Sequence, residues 1–301
     1  MHRFVLLLIV VGTLQAALVL LARLGAGAGM SILAAAIVST LGAGMVIGLA
    51  SLGRSRERRT ANAGSLVFLG GAGTVSYAFP NALVFATAEK LGPAHAAMLY
   101  AFVPGLTYLI ALLADLERSS PRRLTGLLLG FTGATVILST RFDLATPTES
   151  LWLLISLAAP ASVAAGNVIR SRFWPQGASV MDIAPGLLLS AGLVLLAVAA
   201  LAPGQSLAWP THWGGPLALL ATASLFYVLY FNLQQAAGAV YLSQIGYVAA
   251  AAGLAFGVTL FDEQVAAPMF AGIALVVLGV VLVTPHPGET GQTAVARGIH
   301  S

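Results

Sequence analysis

The sequence predicts an all-α integral membrane protein of ten transmembrane helices in two inverted five-helix repeats, and three observations carry that expectation. First, hydrophobic residues make up 58% and charged residues 8% of the 301 residues, with a mean hydropathy of +0.93. Ordinary soluble domains carry about 25% charge, so this chain has too few polar groups to cover a soluble surface. Second, apolar runs of about 20 residues, the length needed to cross hydrocarbon, recur along the chain between short polar breaks. Third, the stretch 93–134 returns later in the chain. Glu263 follows Glu117 by 146 positions, and the same offset pairs Gly126 with Gly272, Leu129 with Leu275 and Gly133 with Gly279. Upstream it pairs Leu83 with Leu229, Phe85 with Phe231 and Gly92 with Gly238. Leu and Gly matches are common in an apolar chain, but with only ten Asp and Glu a matched acid is informative.

The spans follow in order. The first, 4–22, opens on Met-His-Arg and is followed by Ala26-Gly-Ala28, an arrangement like a signal peptide. Its apolar stretch is as long as a spanning helix, and the repeat register sets it over the sixth span, so a retained helix is expected. The breaks LGAGAG and RSRERRTANAG bound the second span, 30–53, and the third is 64–87. The fourth, 93–114, ends at the turn ERSSPRR, beyond which lies the fifth, 124–140. TRFDLATPTE leads into the sixth, 150–169, and RSRFWPQG into the seventh, 181–202. PGQSLAWPTHWGG precedes the eighth, 213–234; the ninth is 239–261 and the tenth 269–284. The repeats thus occupy 1–146 and 147–285, and 286–301, polar and rich in Gly and Thr, is expected to be a disordered cytoplasmic tail.

Loop charge sets the expected orientation. With the N-terminus cytoplasmic, the inner segments hold Arg3, Arg54, Arg56, Arg58, Arg59, Arg118, Arg122, Arg123, Arg170, Arg172 and Arg297, and the outer segments only Arg23, Lys90 and Arg141. Both termini are then expected on the cytoplasmic side of the inner membrane. The net charge of +4 and pI of 9.8 therefore mark topology, and no nucleic-acid partner is expected. Two similar units of five spans each, an odd number, must enter the bilayer in opposite directions, the arrangement common among secondary transporters, with a central site between the repeats.

The run PAHAAMLYAFVPGLTYLIALLADLE followed by RLTGLLLGFTGATVIL resembles the EamA family of the drug/metabolite transporter superfamily. That family's repeats end in an apolar helix, a Glu at the turn and a Gly-rich fifth helix. Glu117 with Gly126 and Gly133, and Glu263 with Gly272 and Gly279, match both endings, and the resemblance extends over 4–284. It implies ten helices in inverted repeats, a central cavity, and export or exchange of small metabolites, amino acids among them. The halves depart from one another at Pro104, whose counterpart is Ala250.

Polar groups inside hydrocarbon are costly unless they pair or face water, so they are the pathway candidates. Tyr77 and Asn81 share a face beside Pro80; Tyr100, Pro104, Thr107 and Tyr108 form one stripe; Tyr227, Tyr230 and Gln234 form a second, and Ser243, Gln244 and Tyr247 a third. Gln15 and Asn167 add amides to the first and sixth spans. These residues are expected to converge on a cavity for a small polar or zwitterionic solute, an amino acid as the first guess. The competing expectation is that they bond neighbouring helices, and that Tyr241 and Gln235 sit at the membrane interface. Glu117 and Glu263, at helix exits, are expected to anchor loops, and Asp182 to sit at a helix N-terminus. Gly126, Gly130, Gly133, Gly272 and Gly279 are expected to let the fifth and tenth spans pack closely.

Other chemistry has little to draw on. The chain has no cysteine, so thiolate catalysis and thiolate metal sites are excluded. No HExxH, P-loop or nucleophile elbow is present, and His2, His95, His212, His286 and His300 lie near span ends or in loops. No enzyme activity, cofactor or metal is expected; the partners are a solute and the lipid bilayer, and a monomer is compatible with the sequence. No carboxylate lies near a span centre, so transport driven by an intramembrane acid is not expected. The rival expectation is a non-transporting sensor or assembly factor on the same scaffold.

Overall fold

A bilayer offers no water to a backbone amide, so a spanning chain satisfies its own N–H and C=O groups, and helices do this within one segment. The computed structural model describes residues 2–52, 63–91, 99–139, 152, 154–201, 207–261 and 267–283, and among them the regular structure is helical, with no strand. In chain order these helices are α1 (His2–Gly27), α2 (Ile32–Leu52), α3 (63–91), α4 (Val103–Leu113, entered through a 3₁₀ turn at Tyr100–Phe102), α5 (Pro121–Ser139), α6 (Ala158–Phe173), α7 (Val180–Leu201), α8 (Gly214–Ser243), α9 (Ile245–Phe261) and α10 (Ala267–Val283). Among the described residues six helical segments are long and apolar enough to cross a membrane, and Val103–Leu113 and Phe270–Val283 are shorter apolar helices. Leucines and valines such as Leu49, Val67, Leu113 and Leu201 point outward, exposed, along these helices. Such a surface suits lipid rather than water, and the protein is a helical membrane protein.

The main core joins α1, α2, α3, α7 and α8, through residues such as Leu8, Ile37, Tyr77, Leu187, Leu188, Phe226 and Phe231. Here α1 lies against α8 and α9, and Gly12 allows Val248 to reach its backbone. A smaller core of Tyr108, Ala111, Leu127, Val168, Val240 and Val283 ties α4, α5, α6, α8 and α10 together.

The closest pairing is α5 with α10. A Cβ on Gly126 would meet the Gly279 carbonyl at 2.8 Å, and one on Gly133 the Gly272 carbonyl at 2.5 Å. Helices in lipid gain little from burying apolar surface against each other, so close backbone approach at small residues supplies the attraction. Gly130 is covered by the ring of Tyr247, whose hydroxyl donates to the Leu127 carbonyl at 3.2 Å.

Glu117 accepts a hydrogen bond from Arg123 across the α4–α5 turn. Asp182 accepts from the Ser179 amide and hydroxyl, each at 2.7 Å, ahead of α7. Both acids stabilise turns, the second by accepting from the backbone N–H just before its helix. Glu263 and 286–301 lie outside the described residues.

Two of the differences from the boundaries read in the sequence bear on the interior. α6 continues to Phe173, which draws Arg170 and Arg172 into the helix. The expected break between the eighth and ninth spans narrows to Gly238, at φ 80° and ψ 177° inside α8.

Gly130→Leu is expected to drive the new side chain into Tyr247 and destabilise the fold by about 1–3 kcal/mol, the usual range for overpacking. Size-exclusion of detergent extracts should show a severalfold loss of folded protein. Gly105→Ala, where an added Cβ meets nothing within 4 Å, should leave the yield unchanged.

Candidate functional site

Three local departures from α-helical geometry meet in the interior, and two of them have a proline as their cause. Pro80 has no N–H to offer the Ser76 carbonyl four residues back, and its ring crowds that carbonyl. The chain responds with a π-turn at Thr74–Ala78, in which the Phe79 N–H bonds the Thr74 carbonyl instead. Pro104 stands in the same relation to Tyr100, and there the helix tightens into a 3₁₀ turn closed by the Val103 N–H on the Tyr100 carbonyl. The third departure is at Gln244, where the amide bonds Tyr241 at 3.1 Å, three residues back, between α8 and α9.

A cavity of about 100 Å³ opens between these points. Ser76, Tyr77 and Asn81 line it from α3, and Tyr100 and Val103 from the start of α4. Leu242, Ser243, Ile245 and Gly246 straddle the third irregularity; Gln15 reaches in from α1, Val163 and Asn167 from α6, and Phe226, Tyr227 and Tyr230 from α8. At roughly 30 Å³ per water the space suits about three waters or one small polar group. Gly166 lets α6 come against Ser76, where a Cβ would strike the Ser76 hydroxyl.

Directly behind this lining lies Arg170, with none of its surface exposed. Its Nε–H donates to Gln234 Oε1 at 2.9 Å, one Nη1–H to Ser76 Oγ, and Nη2 to Asn167 Oδ1 at 2.7 Å and Tyr230 OH at 2.9 Å. The guanidinium carbon stands 5.1 Å from the ring centre of Tyr77, 5.6 Å from Tyr230 and 5.8 Å from Phe231. Every hydrogen-bonding partner is neutral. Burying such an ion costs several kcal/mol. Hydrogen bonds to a charged group return about 1.5–3 kcal/mol each, and the C-terminal turn of α6 adds a favourable dipole. These contacts solvate the charge without neutralising it.

The other candidates divide by position. Gln15, Tyr77, Asn81, Tyr100, Asn167, Tyr227, Tyr230 and Ser243 line the cavity. Thr107 is buried beside Asn167, whose Nδ2 approaches it at 3.5 Å. Tyr108 faces the α4–α5 turn, accepting from the Ser120 amide at 2.9 Å. Gln234 serves Arg170 and donates to the Asn167 carbonyl at 2.9 Å. Gln244 is buried with Nε2 on its own helix and Oε1 without a hydrogen-bond partner, and Tyr247 bonds α5. Tyr241, expected at the interface, is instead buried with its ring 6.4 Å from Phe4. Gln235 is exposed on α8, donating to the Ala178 carbonyl at 3.2 Å.

Sequence reasoning passed over Arg170 and Ser76. Arg170 reads as one more loop cation because RSR ends the sixth apolar run; its one signal is the i, i+3 spacing from Asn167, which sets both on one helix face. Ser76 carries no signal of its own, except that it precedes Pro80 by four.

No protein-family model matches the chain, and no curated protein matches it. A crystal structure of a protein superposes with a TM-score of 0.75 at 21% sequence identity, covering 94% of this chain and 97% of that one. The likeness is one of fold.

Asn167→Leu is expected to remove an acceptor from both Arg170 and Tyr230 and to cost about 1.5–3 kcal/mol. Arg170→Met removes the charge that needs that acceptor. Denaturation midpoints of the two single variants and the double variant should therefore be non-additive, the double variant losing less than the singles combined.

Proposed function

We infer that the protein is a secondary transporter that moves a small polar metabolite, as exporter or exchanger, by alternating access between two inverted five-helix repeats. The observation that carries this reading is the coincidence of the cavity with three of the helix interruptions, at Thr74–Ala78, Tyr100–Phe102 and Gln244. Irregular backbone at membrane depth is tolerated where it is buried in protein or lines a water-filled space, and solute sites in transporters gather at discontinuous helices.

Two further facts support it. The lining draws on residues from 1–146 and from 147–285 alike, as a site between repeats requires. The sequence resemblance of both repeat endings to the EamA family points the same way. Among the described residues neither Asp nor Glu lines the cavity, which favours exchange or facilitated movement over coupling through a fixed intramembrane acid.

The test is flux. Purified protein in liposomes preloaded with a mixture of amino acids and small carboxylic acids is expected to show saturable counterflow of labelled solute from the same mixture. Val163→Phe, which narrows the cavity wall, should keep the folded peak and lower counterflow about tenfold, by roughly 1.4 kcal/mol. Folded wild-type protein that moves none of the panel would sink the transporter reading and favour a non-transporting membrane protein on this scaffold.

A further inference from the structure

The cavity and the arginine behind it have a chemical bias, which narrows the solute class if the cavity is the solute site read above. An arginine has five N–H donors. Four are engaged, on Gln234, Ser76, Asn167 and Tyr230, leaving one Nη1–H without an acceptor among the described residues.

The groups between Arg170 and the cavity are left with donors as well. The Ser76 hydroxyl accepts from Arg170, and its own hydrogen has no acceptor among the described residues. Tyr77 lines the cavity and turns its ring to the guanidinium, while its hydroxyl is buried away from the space. Asn167 gives Oδ1 to Arg170 and Tyr230, while its Nδ2 has only the long 3.5 Å approach to Thr107. The unspent groups are therefore donors, and a hydroxyl that accepts from a cation becomes a stronger donor in turn. Among the described residues no carboxylate lines the space to balance the charge or to receive an ammonium. A buried cation solvated only by neutral groups favours an anion beside it.

We propose that this cavity takes a small monocarboxylate, held by the Ser76 hydroxyl and the Asn167 amide, with Arg170 as its countercharge. One cation matches one negative charge, and the donors on Ser76 and Asn167 suit the two oxygens of a carboxylate. An amino acid enters less well than a simple acid, because its ammonium meets only tyrosine faces and neutral side chains.

The experiment compares matched solutes on wild-type protein in detergent at fixed ionic strength. Acetate, acetamide and ethylamine form one set, benzoate, benzamide and benzylamine a larger one, with glycine and inorganic phosphate added. Thermal unfolding is followed against solute concentration. At least one carboxylate should raise the midpoint saturably by roughly 2–4 °C, and its amide and amine partners, glycine and phosphate should not. Ser76→Ala should abolish the carboxylate shift while keeping the folded peak. Equal shifts from the amides or amines, a shift from phosphate alone, or no shift from any carboxylate would each overturn the proposal. Flux in liposomes separates it from the transporter reading. Carboxylate binding without flux leaves the proposal standing and removes transport, whereas counterflow that is indifferent to solute charge does the reverse.

Discussion

The constraint on which the structure depends is that an interior without water must satisfy every backbone group and solvate every charge from within the chain. Regular helices meet the first demand at no cost to packing. Three of the chain's departures from them, at Pro80, at Pro104 and at Gln244, free or redirect a carbonyl beside the same small cavity, while those at Val38–Gly42 and Gly238 lie apart from its lining. The prolines therefore do more than kink their helices. By forbidding the bond from four residues on, they leave Ser76 and Tyr100 at positions where a regular helix would have turned them differently, and both line the cavity. A helix-breaking residue in a soluble protein is a local cost of about 3 kcal/mol. Here the cost is met by neighbouring backbone and yields a polar surface inside an apolar bundle.

The second demand, solvation of charge, is concentrated on Arg170. The residue ties α6 to α3 through Ser76 and to α8 through Gln234 and Tyr230, so one guanidinium links helices from both halves of the sequence. Its aromatic surroundings, Tyr77, Tyr230 and Phe231, contribute up to about 2 kcal/mol per well-placed face in a desolvated site. Such a network rigidifies the region and polarises the hydroxyls that border the cavity. Structure and recognition are thus joined in the same few side chains. This explains why Asn167 and Tyr230, which line the cavity, also bond one another at 3.0 Å.

How much of this could be read beforehand depended on whether one dimension of the chain carried the signal. Apolar length and helical character are one-dimensional, and so was the glycine spacing that brings Gly126 to Gly279 and Gly133 to Gly272. The tyrosine stripes had the right periodicity, yet periodicity fixes a face and not what lies opposite it. Tyr247 and Tyr227 looked alike in sequence; one meets Gly130 and the Leu127 carbonyl, the other the cavity. Arg170 was misplaced for a sharper reason. A charge ends an apolar run by definition, so a span drawn by hydropathy stops at Ile169, while the helix itself continues one turn further. Hydropathy marks where a residue would rather be, and a functional charge is placed elsewhere at a cost.

The two halves of the sequence correspond best where packing governs and least where the cavity lies. The offset that matches Glu117 to Glu263 and Gly126 to Gly272 sets Pro104 against Ala250 and Arg170 against Leu24, and Leu24 is 52% exposed on α1. Glycine contacts between α5 and α10 must be kept on both helices, because either partner alone can block the approach. A charge in the interior obeys no such pairing. Arg170 is buried, whereas the position 146 residues earlier lies on the exposed flank of α1, so the offset does not carry the surroundings of one over to the other. An arginine is accommodated at 170 because Gln234, Ser76, Asn167 and Tyr230 converge on it, and without those partners the same burial would leave an unsolvated ion.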